Sequence, residues 1–240
     1  SLVITSSNAV IELGANVFPN DLNEAGAMVG YRNDPGGQPL VPLFWSSPYV
    51  APQILPVLAA GYGGEAVWFD GTDVVGTSDD ANGRWLVRWS DSSGTWQATP
   101  IEKLPNGTVA VTGMNSAGRV ALWICDPLPC DLLQKNARAA VWDPPYTQPP
   151  TYLPTLTGPK SYPAAVMDDG VVVGVVIAGN GVDMLPVIWP TPTTVTALPL
   201  LTGGKAGGVG RVNAYRQIAG SVDVPVKGRS RTHAVVWTLP

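Results

Sequence analysis

The sequence predicts an all-β fold, a five-bladed β-propeller of four-stranded blades occupying residues 1–240 as one domain, and three observations carry that expectation. Glycine (27) and proline (24) make up 51 of the 240 residues, and no stretch free of both is longer than fourteen residues, Cys130 to Asp143. Long helices do not fit such punctuation, whereas Val, Thr and Trp, which suit pleated and half-buried surfaces, fill the intervals. Five tryptophans then close short apolar runs at Phe44-Trp45, Arg88-Trp89, Val141-Trp142, Ile188-Trp189 and Val236-Trp237, spaced by 44, 53, 47 and 48 residues. A repeat of that length holds four short strands and their turns, the content of one propeller blade.

The elements of each unit follow in order. An apolar strand runs from a Gly to an Asn or Asp eight to ten residues on: Gly14 to Asn23, Gly61 to Asp70, Gly107 to Asn115, Gly158 to Asp168 and Gly203 to Asn213. The Asn, Asp and Gly that follow tolerate positive φ, as hairpin loops require. A second strand reaches another Gly six or seven residues later, at Gly30, Gly76, Gly174 and Gly220, where the third unit has Leu122. A third strand ends at the repeat Trp, which reads as core between blades. The fourth carries a Leu-Pro step, at Leu55-Pro56, Leu104-Pro105, Leu153-Pro154 and Leu198-Pro199. The fifth Trp has only Thr238-Leu239-Pro240 after it, so Val10-Ile11-Glu12-Leu13 is expected to complete the last blade beside His233–Trp237 and close the ring.

Leu200-Leu201-Thr202-Gly203-Gly204, Val212-Asn213, Gln217-Ile218-Ala219-Gly220 and His233-Ala234-Val235-Val236-Trp237 resemble the bacterial HAF repeat, with Val235 in place of the family's Phe. Arg138-Ala139-Ala140-Val141-Trp142 is the next nearest match, without the His. The resemblance implies an extracellular or cell-surface location and no particular reaction.

Fourteen Lys and Arg against eighteen Asp and Glu give a net charge of −4, and the densest basic cluster is Lys227, Arg229 and Arg231. That balance argues against nucleic acid as a partner. Two uncharged stretches, Pro35–Gly64 and Met184–Gly204, are not membrane spans: the first carries prolines at 35, 39, 42, 48, 52 and 56. Ser1-Leu2-Val3-Ile4 has neither the basic start nor the cleavage pattern of an export signal. Cys125 and Cys130 flank Asp126-Pro127-Leu128-Pro129 and are expected to form a local disulfide. With one histidine and two cysteines, no zinc site is expected, and no other metal or cofactor: Asp79-Asp80 with Asn82 lacks the further spaced acids of a calcium loop.

His233 stands alone, away from any nucleophile motif, and reads as holding a strand edge. Asp21, Glu65, Asp70, Asp168, Asp169 and Asp223 could supply a pair of acids for a glycoside hydrolase of the central funnel, but Asp70 and Asp168 occupy the repeat's own turn. Trp68, Trp85, Trp96 and Trp123 exceed the repeat's needs, and the first three crowd into the second unit. Flat indoles suit stacking on sugars or anchoring a partner, so Trp68, Trp85 and Trp96 form the expected binding platform. The function read from these features is a glycan- or protein-binding module, monomeric or part of a longer chain. A glycoside hydrolase and a purely structural segment are the alternatives.

Overall fold

The computed structural model describes residues 2–4, 10–23, 25–69, 71–92, 94–106, 108–125, 137–227 and 229–240. Among them there are strands and turns and no helix, so none is long and apolar enough to cross a membrane. The chain divides into two compact units, Ser1–Leu104 and Pro105–Pro240. The first holds a short pair, β1 (Leu2–Ile4) and β2 (Val10–Glu12), and two meanders: β3 (Val17–Leu22), β4 (Met28–Arg32), β5 (Val41–Trp45), β6 (Gln53–Ile54), then β7 (Gly64–Phe69), β8 (Asp73–Asp80), β9 (Gly83–Ser92), β10 (Thr95–Lys103). The second holds β11 (Thr108–Met114), β12 (Val120–Cys125), β13 (Ala137–Trp142), β14 (Thr151–Tyr152); β15 (Ser161–Val166), β16 (Val172–Ile177), β17 (Met184–Thr191), β18 (Thr194–Ala197); and β19 (Ala206–Val212), β20 (Gln217–Val226), β21 (Arg229–Thr238). Each sheet is antiparallel with its strands in sequence order, and the fold class is the five-bladed β-propeller.

One expected pairing differs. Among the described residues no strand pairing joins Val10–Glu12 to His233–Trp237. Val10–Glu12 pairs with Leu2–Ile4 in the register Leu2↔Glu12, Val3↔Ile11, Ile4↔Val10, and the last sheet has three strands among the described residues. A partner close in sequence costs less loop-closure entropy than one at the far end of the chain. Leu13 packs against Val17, Met28, Leu43 and Trp45.

The repeat residues have specific structural duties. All five repeat tryptophans are buried. Three of them reach into the preceding repeat, where the indole N–H donates to the carbonyl of the Leu-Pro step: Trp89 to Pro56 (2.6 Å), Trp189 to Pro154 (2.7 Å) and Trp237 to Pro199 (2.7 Å). The leucine of the same step is buried beside that Trp. Trp142 instead bonds the Gln148 carbonyl in the β13–β14 loop of its own repeat, at 2.8 Å.

The second Gly answers to a bulge. In four sheets the innermost strand slips register at Pro19/Asp21, Ala66/Trp68, Pro163/Ala165 and Val209/Val212, pushing a backbone carbonyl against the neighbouring strand. A Cβ at Gly30, Gly76, Gly174 or Gly220 would collide with the carbonyls of Phe18, Glu65, Tyr162 or Gly208. The third unit's strand slips at Thr108/Ala110 and Val111/Gly113 instead, and there Leu122 is accommodated.

The turns need one correction. Asn23, Asn115 and Asn213 each cap a four-residue loop, their side-chain oxygens accepting the N–H groups of Ala27, Arg119 and Gln217. In the fourth unit the same backbone position is Met167, whose N–H bonds Val171 as Asn23 bonds Ala27. Asp168 therefore lies one residue past the position assigned to it, because the loop demands positive φ at its end (Gly26, Gly118, Gly170, Arg216) more strictly than an Asn at its start. Asp70, its counterpart in the second unit, lies outside the described residues.

Candidate functional site

Within the first unit, the meander places the β4–β5 loop (33–40), the β6–β7 linker (55–63) and the β8–β9 turn (81–82) at the same end of the two sheets. The first two of these segments, with side chains of β7, β8 and β9, enclose a groove of two compartments. One, of about 350 Å³, is charged and is lined by Gln38, Tyr62, Glu65, Thr77, Asp79 and Arg84. The other, of about 480 Å³, is apolar and is lined by Val41, Pro42, Ile54, Pro56, Val57 and Tyr62. Tyr62 and the segment Gln38-Pro39-Leu40 belong to both, so the exposed Tyr62 ring stands between them.

The backbone beneath Tyr62 is fixed from several sides. The buried Ser78 hydroxyl donates to the Gly63 carbonyl and accepts the Leu58 N–H. Gly64 N–H donates to Leu40 O, Asp79 N–H to Gly63 O, and Tyr62 N–H to Ala59 O. Gly63 is a close approach: any Cβ there would press on the Leu40 backbone. In the charged compartment Arg84 meets Asp79 with two contacts, Nε to Oδ1 at 2.9 Å and Nη2 to Oδ2 at 3.3 Å. Hydrogen bonding to Asp79, with the Glu65 charge beyond it, holds the Arg84 guanidinium more firmly protonated than usual. Glu65 accepts a hydrogen bond from Asn20 at 3.0 Å, and Tyr31, raised by burial first and by Glu65 second, stays a neutral phenol.

The expected aromatic platform is distributed otherwise. Trp85 and Trp96 share the face of the second sheet that bears Val87 and Trp89, but six residues of β9 separate their rows, about 20 Å. Both are half-buried against the cluster of Ala66, Phe69, Val74, Val87 and Trp89. Trp96 rests on Phe44, ring centres 4.9 Å apart, and its N–H donates to Gln53 beside the groove residue Ile54. The Trp85 indole N–H, foremost, and then the Asn82 and Gly83 groups hold the Asp80 carboxyl below the ordinary carboxylate range. Trp68 lies in register with Val75 and Arg88, on the opposite face. Trp123 packs edge-on to Tyr162 at 5.4 Å.

The candidate acids are engaged in holding strands together. Asp21 accepts the Phe69 N–H, Asp168 the Ser116 N–H and hydroxyl, Asp169 pairs with Arg216, and Asp223 accepts the Thr232 hydroxyl. His233 lies in the middle of β21, exposed, rather than at its start. Cys125 ends β12 in the core, and Cys130, the other half of the expected disulfide, lies outside the described residues. Among the described residues no group of three or more His, Cys, Asp or Glu is placed to hold a metal ion. Tyr62 escaped notice in the sequence, although its setting, Gly61-Tyr62-Gly63-Gly64, marks a close backbone approach displaying one aromatic ring.

No protein-family model matches the chain, and no curated protein does. Among solved structures it is similar to a prolyl endopeptidase, at TM-score 0.51 and 11% identity, over 95% of this chain and 36% of that one. It is also similar to a putative TolB from Agrobacterium tumefaciens, at TM-score 0.51 and 13% identity, over 92% of this chain and 80% of that one. The chain thus spans about a third of the peptidase, and at these identities the likeness is one of fold.

Proposed function

We propose that the chain is a secreted or surface-displayed binding module that takes a glycan in the groove of its first unit. The observation that carries this reading is Tyr62, an exposed ring on a pinned backbone beside paired polar side chains. A ring face stacks on the C–H face of a pyranose, and the Arg84–Asp79 pair, Gln38 and Glu65 offer donors and acceptors at fixed positions to sugar hydroxyls. Hydrolysis is the weaker reading, because Asp21, Glu65, Asp168, Asp169 and Asp223 each already hold a structural contact. The apolar compartment, with Ile54 61% exposed, favours a second reading in which an apolar side chain of a protein partner enters beside Tyr62.

A screen of the purified chain against a glycan array, a peptide library and soluble polysaccharides tests these readings together. Retention of glycans that is reduced roughly thirtyfold by Tyr62→Ala, about 2 kcal/mol at an exposed anchor, with the unfolding midpoint unchanged, is the expected result. Retention of peptides alone moves the assignment to a protein partner, released sugars move it to a hydrolase, and silence in all three leaves a structural segment.

The extracellular location belongs to the same proposal and rests on the HAF-repeat resemblance and on the two cysteines. With Cys125 and Cys130 bridged, the intact mass is expected to rise by two hydrogens on reduction. Two thiols alkylated in the unreduced, unfolded chain would remove this support.

A further inference from the structure

The last sheet carries a charged element that the groove does not involve. Past the pair Ala206↔Asp223, where β19 begins, β20 and β21 continue as a two-stranded arm through Val224↔Arg231, Pro225↔Ser230 and Val226↔Arg229. Lys227 stands at its tip. Side chains alternate along a strand, so Arg229, Arg231 and His233 share one face of β21, each about 7 Å from the next. All four are exposed, as is Lys205 at the base of the arm, whose N–H bonds Asp223 O.

The other arginines outside this sheet are occupied: Arg32 with Asp34, Arg84 with Asp79, Arg88 with Asp73, Arg119 with Asp143, Arg216 with Asp169, and Arg138 over the Tyr152 ring. Among the described residues, Arg229 and Arg231 enter no ion pair. The sheet's one carboxylate, Asp223, lies in register with Thr232, on the other face, and is taken by that hydroxyl. In a protein of net charge −4, three cations that enter no ion pair among the described residues, Lys227, Arg229 and Arg231, thus stand together on one projecting ribbon.

We propose that this arm docks an acidic polysaccharide, a linear chain bearing carboxylate or sulfate groups at intervals. Guanidinium forks match such groups bidentately, and their regular spacing along an extended strand suits a repeating polymer. Among the described residues β21 is the outer strand of its sheet, so the backbone N–H and C=O groups of its open side lie beside the same path and can meet sugar hydroxyls. Single-stranded nucleic acid fits less well, since residues 224–236 contain no Phe, Tyr or Trp on which successive bases could stack.

The test is titration of the whole chain, at low and physiological salt, with polygalacturonate and heparin, with dextran as the neutral polymer and single-stranded DNA as the other polyanion. Binding of polygalacturonate or heparin that weakens with salt, no binding of dextran, and at least a tenfold loss in an Arg229→Ser/Arg231→Ser variant with an unchanged unfolding midpoint are expected. Failure of both acidic polymers to bind at low salt, unaltered binding by the variant, or DNA bound as tightly overturns the proposal. Loss with Tyr62→Ala but not with the arm variant also overturns it while leaving the groove reading in place.

Discussion

Gly76→Ala is expected to abolish cooperative unfolding of the first unit near room temperature, or to lower its midpoint by well over ten degrees. The added Cβ would sit on the Glu65 carbonyl oxygen with the Ala66 backbone close behind it, and a backbone carbonyl in a bulge has no rotamer into which it can retreat. Overpacking that side chains can absorb costs about 1–3 kcal/mol; a collision with main chain lies above that range. Gly179→Ala is the control, since its Cβ would meet nothing within 4 Å, and its midpoint is expected to stay within a degree or two. Thermal melts followed by circular dichroism read both. A Gly76→Ala protein that melts like the control would mean that the bulge is not fixed where the register places it.

Trp189→Ala is expected to cost the second unit about 3–5 kcal/mol, the loss for a large aromatic in a packed core. Trp189 is 1% exposed among Ala139, Val141, Leu153, Val166, Val172, Val176 and Val187. Trp189→Phe separates the two contributions. It keeps most of the apolar volume but leaves the Pro154 carbonyl without its indole donor, which adds about 1–3 kcal/mol if that oxygen remains dry. Denaturant melts of the two variants test this. Equal losses would make the shared loss of the hydrogen bond the whole effect and the cavity incidental, whereas a negligible loss in Trp189→Phe would assign the effect to the cavity.

The blade plan was legible because repetition imposes one local constraint several times. A bulge that needs a Gly, a core slot that needs a Trp and a strand that ends in Leu-Pro recur at nearly constant spacing, and each recurrence supports the others. The partners behind these residues were not legible. Nothing in a sequence of Leu-Pro steps says that the proline carbonyl waits for an indole of the following repeat. Turn chemistry misplaced Asp168 by one residue because Asn, Asp and Gly mark the loop without fixing its first position, which Met167 fills by backbone bonding alone. The position of Val10–Glu12 was misjudged because apolar character does not choose between a near partner and a distant one. The candidate site was the least legible of all. Its loops differ from unit to unit, so no repetition amplifies Tyr62 or the Arg84–Asp79 pair, whereas the surplus indoles that drew the eye fall on two faces of one sheet.

The bond from three of the repeat tryptophans to a proline carbonyl of the preceding repeat bears on how such a chain can change in length. Donor and acceptor sit in neighbouring repeats, Trp89 with Pro56, Trp189 with Pro154 and Trp237 with Pro199. Recombination that copies or deletes one whole period between repeats sharing this bond therefore adds or removes a matched donor and acceptor together and orphans neither at the new junction. Cohesion of this kind is a property of junctions rather than of repeats, as in one-dimensional arrays whose stability resides in nearest-neighbour terms. A lineage carrying it could alter its number of repeats by unequal crossing-over without first inventing a new way to join them.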